Sequence, residues 1–230
     1  MGLNFFIVNN EFMSSHVRRA TTYTGDIFVI HHHWDVRLAE QSRIFPLKQL
    51  VFGYMGSIAS LNHSDNFLHY RHLMKKYPIQ LIDTELGKNV TDLVKRNKFH
   101  KVKIAHNPRN MQNIVINFNC HMSIRRNDGP LSNFKTTAKL ATAAALSHNI
   151  ITTREKSVMD VLPEDYPFLL SDSRIPTVCA MMDRMMKDYQ SENQLLWNRG
   201  LRMMAVVKQK LSITEIGRQY VDMLEKLSVC

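Results

Sequence analysis

Between Asn119 and Leu170 the chain sets a polar, basic loop before a small-residue helix and runs that helix directly into a β-branched strand. The helix reads from Phe134 to Ser147, FKTTAKLATAAALS, and opens on Lys135, Thr136 and Thr137; the strand is Asn149 to Thr153, NIITT. This order constrains the fold strongly. Alanines let a helix lie close to a sheet, and a short β-branched strand fits a sheet covered on both faces. The helix start leaves backbone N–H groups unpaired and carries about half a positive charge. Loop, helix N-terminus and buried strand are the parts from which α/β proteins build a phosphate site.

The preceding residues repeat the alternation. From Gln49, QLVFGYMG reads as a strand ending in glycines, followed by a loop and helix to Tyr77 and a second strand, IQLID. Thr91 caps a helix, TDLVKRNK, before a third strand, HKVKIAH. RNMQNIVINFN gives a helix-like turn and a fourth strand, CHMSIRR reads as a strand ended by Arg125 and Arg126, and NIITTR is the fifth strand. The pattern predicts an α/β fold: a Rossmann-like parallel sheet with helices on both faces, followed by a C-terminal helical segment. In that segment TVCAMMDRMMKDY, ENQLLWNRGLRMMAVVKQKL and TEIGRQYVDMLEKL each place apolar residues at helical spacing, with Ser212 or Thr214 as cap of the last. Met181, Met182, Met185, Met186, Met203, Met204 and Trp197 read as core. Near the start, EFMSSHVRRATTY reads as a short helix capped by Asn10, and DIFVI as a buried strand. Three parts follow: residues 1–45, residues 46–172 and the helices of 173–230.

A formal charge of +10 over 230 residues favours anionic partners: nucleic acid, lipid headgroups or phosphorylated substrates. The basic clusters are short and separated by apolar runs, with no zinc-finger spacing and no RNA-recognition signature, so no specific nucleic acid is expected. Cys120, Cys179 and Cys230 are distant and odd in number, which reads as free thiols in a reducing cytoplasm. No stretch is apolar for long enough to span a membrane, and no basic start precedes the first apolar residues as in a signal peptide.

Four further groups are candidate sites. His121 and Arg125 in CHMSIRR stand near a strand's carboxyl end, where open α/β sheets bind ligands, and a guanidinium fork fits phosphate oxygens. Lys139 adds charge to the Lys135 helix. In GYMGS, Gly53 and Gly56 followed by Ser57 suit a tight turn where a substrate approaches backbone N–H groups; the spacing is not that of a dinucleotide fingerprint. In HHHWDVR, His31 and His33 share a strand face, one ligand short of a catalytic metal site, and no metal is expected there. His33 and Asp35 are the candidates for a catalytic base.

Taken in order, IHHHWDVRL, VFGYMGS, FNCHMSIR, FKTTAKLATAAALSHNIITTRE and LPEDYPFLL resemble the glycosyltransferases built from two Rossmann domains, the GT-B class, over residues 26 to 225 and mainly in their C-terminal, donor-binding domain. The resemblance implies a nucleotide-diphosphate sugar as donor substrate, no further cofactor, and transfer of the sugar to an unknown acceptor. It places Gly56 and Ser57 in the first loop of the donor domain and His121 and Arg125 in the fourth-strand loop. Lys135, Thr136, Thr137 and Lys139 would surround the diphosphate, whose departing charge they stabilise without metal. Residues 1–45 would be the edge of an acceptor-side domain. The alternative is a non-catalytic nucleotide-binding subunit whose cleft a second chain completes; nucleic-acid binding is a weaker one. The basic surface also suits peripheral contact with anionic lipid.

Overall fold

The computed structural model describes residues 5–21, 23–31, 47–56, 66–83, 102–104, 117–125 and 138–228. Two parallel sheets organise them. The smaller pairs β1 (Phe5–Val8) with β2 (Asp26–Val29) across α1 (Glu11–Ala20). Asn10 caps α1, its side-chain oxygen accepting from the Met13 N–H at 2.8 Å, and Glu11 adds a negative charge to the first turn. This is the cap read from the sequence. β1 was not anticipated: FFIV is only four residues long and lacks alternation, and it becomes a strand by pairing with β2.

The larger sheet comprises β3 (Phe52–Gly56), β4 (Ile79–Asp83), β5 (Val102–Ile104), β6 (Cys120–Ser123), β7 (Asn149–Thr153) and β8 (Leu169–Leu170), in spatial order β5-β4-β3-β6-β7-β8. Every described ladder is parallel. From β3 the chain steps through α2 (Asn66–Lys76) to β4 on one side; from β6 it steps through α3 (Ala138–Ala145) to β7 on the other. Right-handed crossovers running in opposite directions put α2 and α3 on opposite faces. The Rossmann-like fold is thus as expected.

The fourth strand is CHMS. Asn117, Phe118 and Asn119, assigned to the strand INFN from sequence, precede it as a turn. Asn119 is tied to Val51 twice, its backbone N–H donating to the Val51 carbonyl at 3.1 Å and its carboxamide accepting from the Val51 N–H at 2.9 Å, and its amide nitrogen donates to Tyr189 Oη at 2.9 Å. Arg125 lies two residues past the strand's end. The helix TDLVKRNK and the residues 111–116 lie outside the described residues.

β6 and β7 are buried throughout. Asn149 opens β7 inside the core, donating to the Trp197 carbonyl at 3.0 Å and accepting from Tyr166 Oη at 3.1 Å. The short α4 (Lys156–Met159) precedes β8, and beyond β8 the described chain is helical: α5 (Ile175–Gln190), α6 (Leu195–Lys210) and α7 (Ile213–Ser228). Pro176 sits in the first turn of α5. Asp188 caps α6, one carboxylate oxygen accepting from Leu196 N–H at 3.1 Å and the other from Trp197 N–H at 2.7 Å. Ser212, not Thr214, caps α7 through Glu215 N–H at 3.2 Å.

One core joins Phe52, Leu81, Met122 and Ile151 of the sheet to Met182 and Met185 of α5 and Trp197, Met204 and Val207 of α6. Met181, Met186 and Met203 pack against its margin. α7 departs from this core: Ile216 and Met223 pack on Ile30 just after β2, with Phe28 and Leu227 alongside. Cys120 and Cys179 are free thiols.

Candidate functional site

β3 and β6 are neighbours whose onward connections diverge, so their carboxyl ends bound the crevice where open α/β sheets take ligands. Gly56 closes β3, and Ile124 and Arg125 follow β6. α3 reaches the same edge with its N-terminus, as a crossover helix running back against the strands must. Arg154 and Glu155 follow β7 beside it.

Gly56 has φ of 155°, a conformation that favours glycine. A Cβ there would stand 3.2 Å from Tyr54 Oη and 3.3 Å from Lys139 Cε. The glycine therefore keeps room for Lys139, whose ammonium lies 3.8 Å from the centroid of the Tyr54 ring. Tyr54 is fixed in turn by Tyr70 of α2, ring centroids 5.0 Å apart and nearly edge to face. Both tyrosines are buried.

Arg125 is held at two points. Its backbone N–H donates to Thr153 Oγ1 at 3.2 Å, and Nη1 donates to Glu155 Oε2 at 2.5 Å. Thr153 Oγ1 also donates to the other oxygen of Glu155 at 3.2 Å. Glu155 is 1% exposed. Burial pushes its carboxyl up from the ordinary value, while Arg125, the Thr153 hydroxyl and the Lys139 charge pull it back down. Two cations and one buried carboxylate thus face the carboxyl edge.

His121 stands deeper. It is 2% exposed, pairs in register with Gly53, and packs edge-on to Phe118, with the His148 ring 5.4 Å away. Burial, with the neighbouring His148 ring and the Lys139 charge, holds it well below the ordinary histidine range, so it is a neutral ring. Its Nε2 finds no hydrogen-bond partner among the described residues. Gly53 is not in a turn as expected; it lies inside β3, where a Cβ would meet the Phe118 ring at 2.3 Å.

Of the residues picked from sequence, the structure brings Gly56, Arg125 and Lys139 to one edge and places His121 below it. Ser57, Lys135, Thr136 and Thr137, and the proposed base residues His33 and Asp35, lie outside the described residues. Tyr54, Thr153 and Glu155 were missed as members of the site. Glu155 carried a signal, an acid two residues past a buried strand, but nothing local paired it with Arg125. Among the described residues no group of three His, Cys, Asp or Glu side chains could hold a metal ion, and no helix is long and apolar enough to cross a membrane.

No family model matches the chain, and no curated protein matches it. Solved structures do. A sucrose-phosphate synthase from Thermosynechococcus elongatus superposes with a TM-score of 0.66 at 14% identity, over 99% of this chain and 59% of the synthase. A glycosyltransferase from Rickettsia africae gives 0.66 at 12%, over 96% and 62%. HepE of Anabaena, solved with UDP-glucose, gives 0.67 at 13%, over 97% and 64%. The chain spans about three fifths of the length of these proteins. Neighbouring structures of this kind, at low identity but high coverage, establish its architecture: the chain has the Rossmann-like fold found in GT-B glycosyltransferases.

Proposed function

We propose that this chain binds a nucleoside-diphosphate sugar at the carboxyl edge between β3 and β6 and serves sugar transfer to an acceptor. One observation carries the reading: the switch point of the sheet gathers a side-chain-free backbone at Gly56 and two cations, Lys139 and Arg125, at one edge. The architecture agrees, since HepE, of the same fold, was solved with UDP-glucose. Here Gly56 lets the ligand approach the backbone, and Lys139 with the start of the α3 segment takes phosphate oxygens. As the glycosidic bond to the leaving diphosphate breaks, negative charge grows on its oxygens, and preorganised cations and helix N–H groups stabilise it. Lys135, Thr136 and Thr137 would join them on the sequence reading, with Ser57 beside Gly56. The acceptor-side base stays with His33 or Asp35 on sequence grounds alone. Residues 46–172 would form the donor domain and residues 1–45 an edge of the acceptor side.

Thermal unfolding with UDP, GDP and ADP tests this. A nucleotide at one hundred times its Kd stabilises the folded protein by about 2.7 kcal/mol, a shift of several degrees. The absence of any shift at millimolar concentration for all three overturns the reading.

A further inference from the structure

Resting on that reading of the site, we infer that Glu155 is a positioning residue: it presents the Arg125 guanidinium to the diphosphate and makes no contact with the ligand. The closed circuit of bonds carries this inference. Arg125 N–H meets Thr153 Oγ1 at 3.2 Å, the Thr153 hydroxyl meets Glu155 Oε1 at 3.2 Å, and Glu155 Oε2 receives Arg125 Nη1 at 2.5 Å. Both ends of Arg125, backbone and guanidinium, are thereby referred to one carboxylate that is itself 1% exposed. Both carboxylate oxygens are already engaged within the protein, so Glu155 is poorly placed to accept from a ligand hydroxyl. The guanidinium has five N–H donors, and the Glu155 bond uses one on Nη1.

The arrangement makes physical sense at a strand end. A free arginine there carries about 2 kcal/mol of rotamer freedom that an anion would have to quench. A guanidinium already fixed by a buried partner does not incur that cost on binding. The opposing effect is electrostatic: the Glu155 charge repels an anion. The two effects predict opposite signs for its removal, which makes the inference testable.

The test is a double-mutant cycle read by calorimetric UDP affinity, with Glu155→Ala, Glu155→Gln, Arg125→Ala and the pair Arg125→Ala/Glu155→Ala. Thermal unfolding of each variant confirms that it is folded. The inference expects Glu155→Ala to weaken UDP about tenfold in the wild-type background and to have no further effect once Arg125 is gone, the mark of residues acting as a unit. Glu155→Gln, which keeps an acceptor for Nη1, should recover part of the loss. A gain in affinity on removing Glu155, or an equal loss with and without Arg125, overturns the role of Glu155 and leaves the nucleotide site standing. If the alanine variant fails to fold, Glu155→Gln with and without Arg125→Ala decides by the same criterion. Wild-type protein that binds no UDP, GDP or ADP overturns the site itself, and this role with it.

Discussion

The ammonium of Lys139 lies 3.8 Å from the centre of the Tyr54 ring. The lysine comes from the start of α3 and the tyrosine from β3, where Tyr70 of α2 packs against it. Since α2 and α3 cover opposite faces of the sheet, this cation–π contact spans the mouth of the crevice. It holds a positive charge over the end of β3 with aromatic surface beneath, and such a contact contributes about 0.5–2 kcal/mol.

Lys139→Met keeps the aliphatic stem against Tyr54 and removes the charge. It should weaken nucleoside-diphosphate binding by about tenfold, the scale of one charge-assisted hydrogen bond, while the ligand-free protein loses no more than the cation–π contribution of about 0.5–2 kcal/mol. Calorimetric titration and urea unfolding measure the two parts separately; equal affinity in variant and wild type would place the diphosphate elsewhere.

Gly53→Ala should destabilise the protein by about 1–3 kcal/mol through overpacking. The added carbon would stand 2.3 Å from the Phe118 ring, which is 1% exposed and braced by His121 and His148. A denaturation midpoint unchanged from wild type would show that Phe118 swings clear.

Stability should fall on mild acidification. Burial lowers His148 to about 4 and holds His121 well below its ordinary value, so both are neutral in the folded protein. In the unfolded chain they titrate near ~6.5, so below that pH the unfolded state binds more protons. Their contribution is complete above about pH 6.5 and is lost as pH falls toward 4, by up to about 1.4 kcal/mol per pH unit for each ring. Urea unfolding from pH 7 to pH 5 should show this slope, and His121→Leu should flatten it.

Asp188→Ala removes both carboxylate acceptors from the first turn of α6 and should cost about 1–2 kcal/mol. Asp188→Asn should retain about half of that difference, because an amide oxygen still caps. Circular dichroism melts compare the two directly.

Much of the fold is written locally. Asn10 before EFMSSHVRRA, the alanines of α3, the β-branched NIITT and the spaced methionines of α5 and α6 each state their structure through propensity or period. The switch point is legible in part for the same reason: glycine at the end of β3 and arginine after β6 mark strand ends. Two misreadings of strands share one cause. INFN has the composition of a strand, but its last residue is fixed by partners far along the chain, Val51 through backbone and side chain and Tyr189 through the side chain. FFIV is too short to signal a strand until β2 lies beside it.

The sequence by itself therefore determined most of the element types, most of the core and the edge of the sheet that carries charge, because hydrophobic period and backbone preference act over a few residues. Only the tertiary structure decided that Glu155 grips Arg125, that Lys139 rests on Tyr54, and that α7 turns from the main core to cover Ile30. Those pairings depend on which surfaces meet after the strands take their order, and no local pattern encodes the partner of a side chain thirty or more residues away.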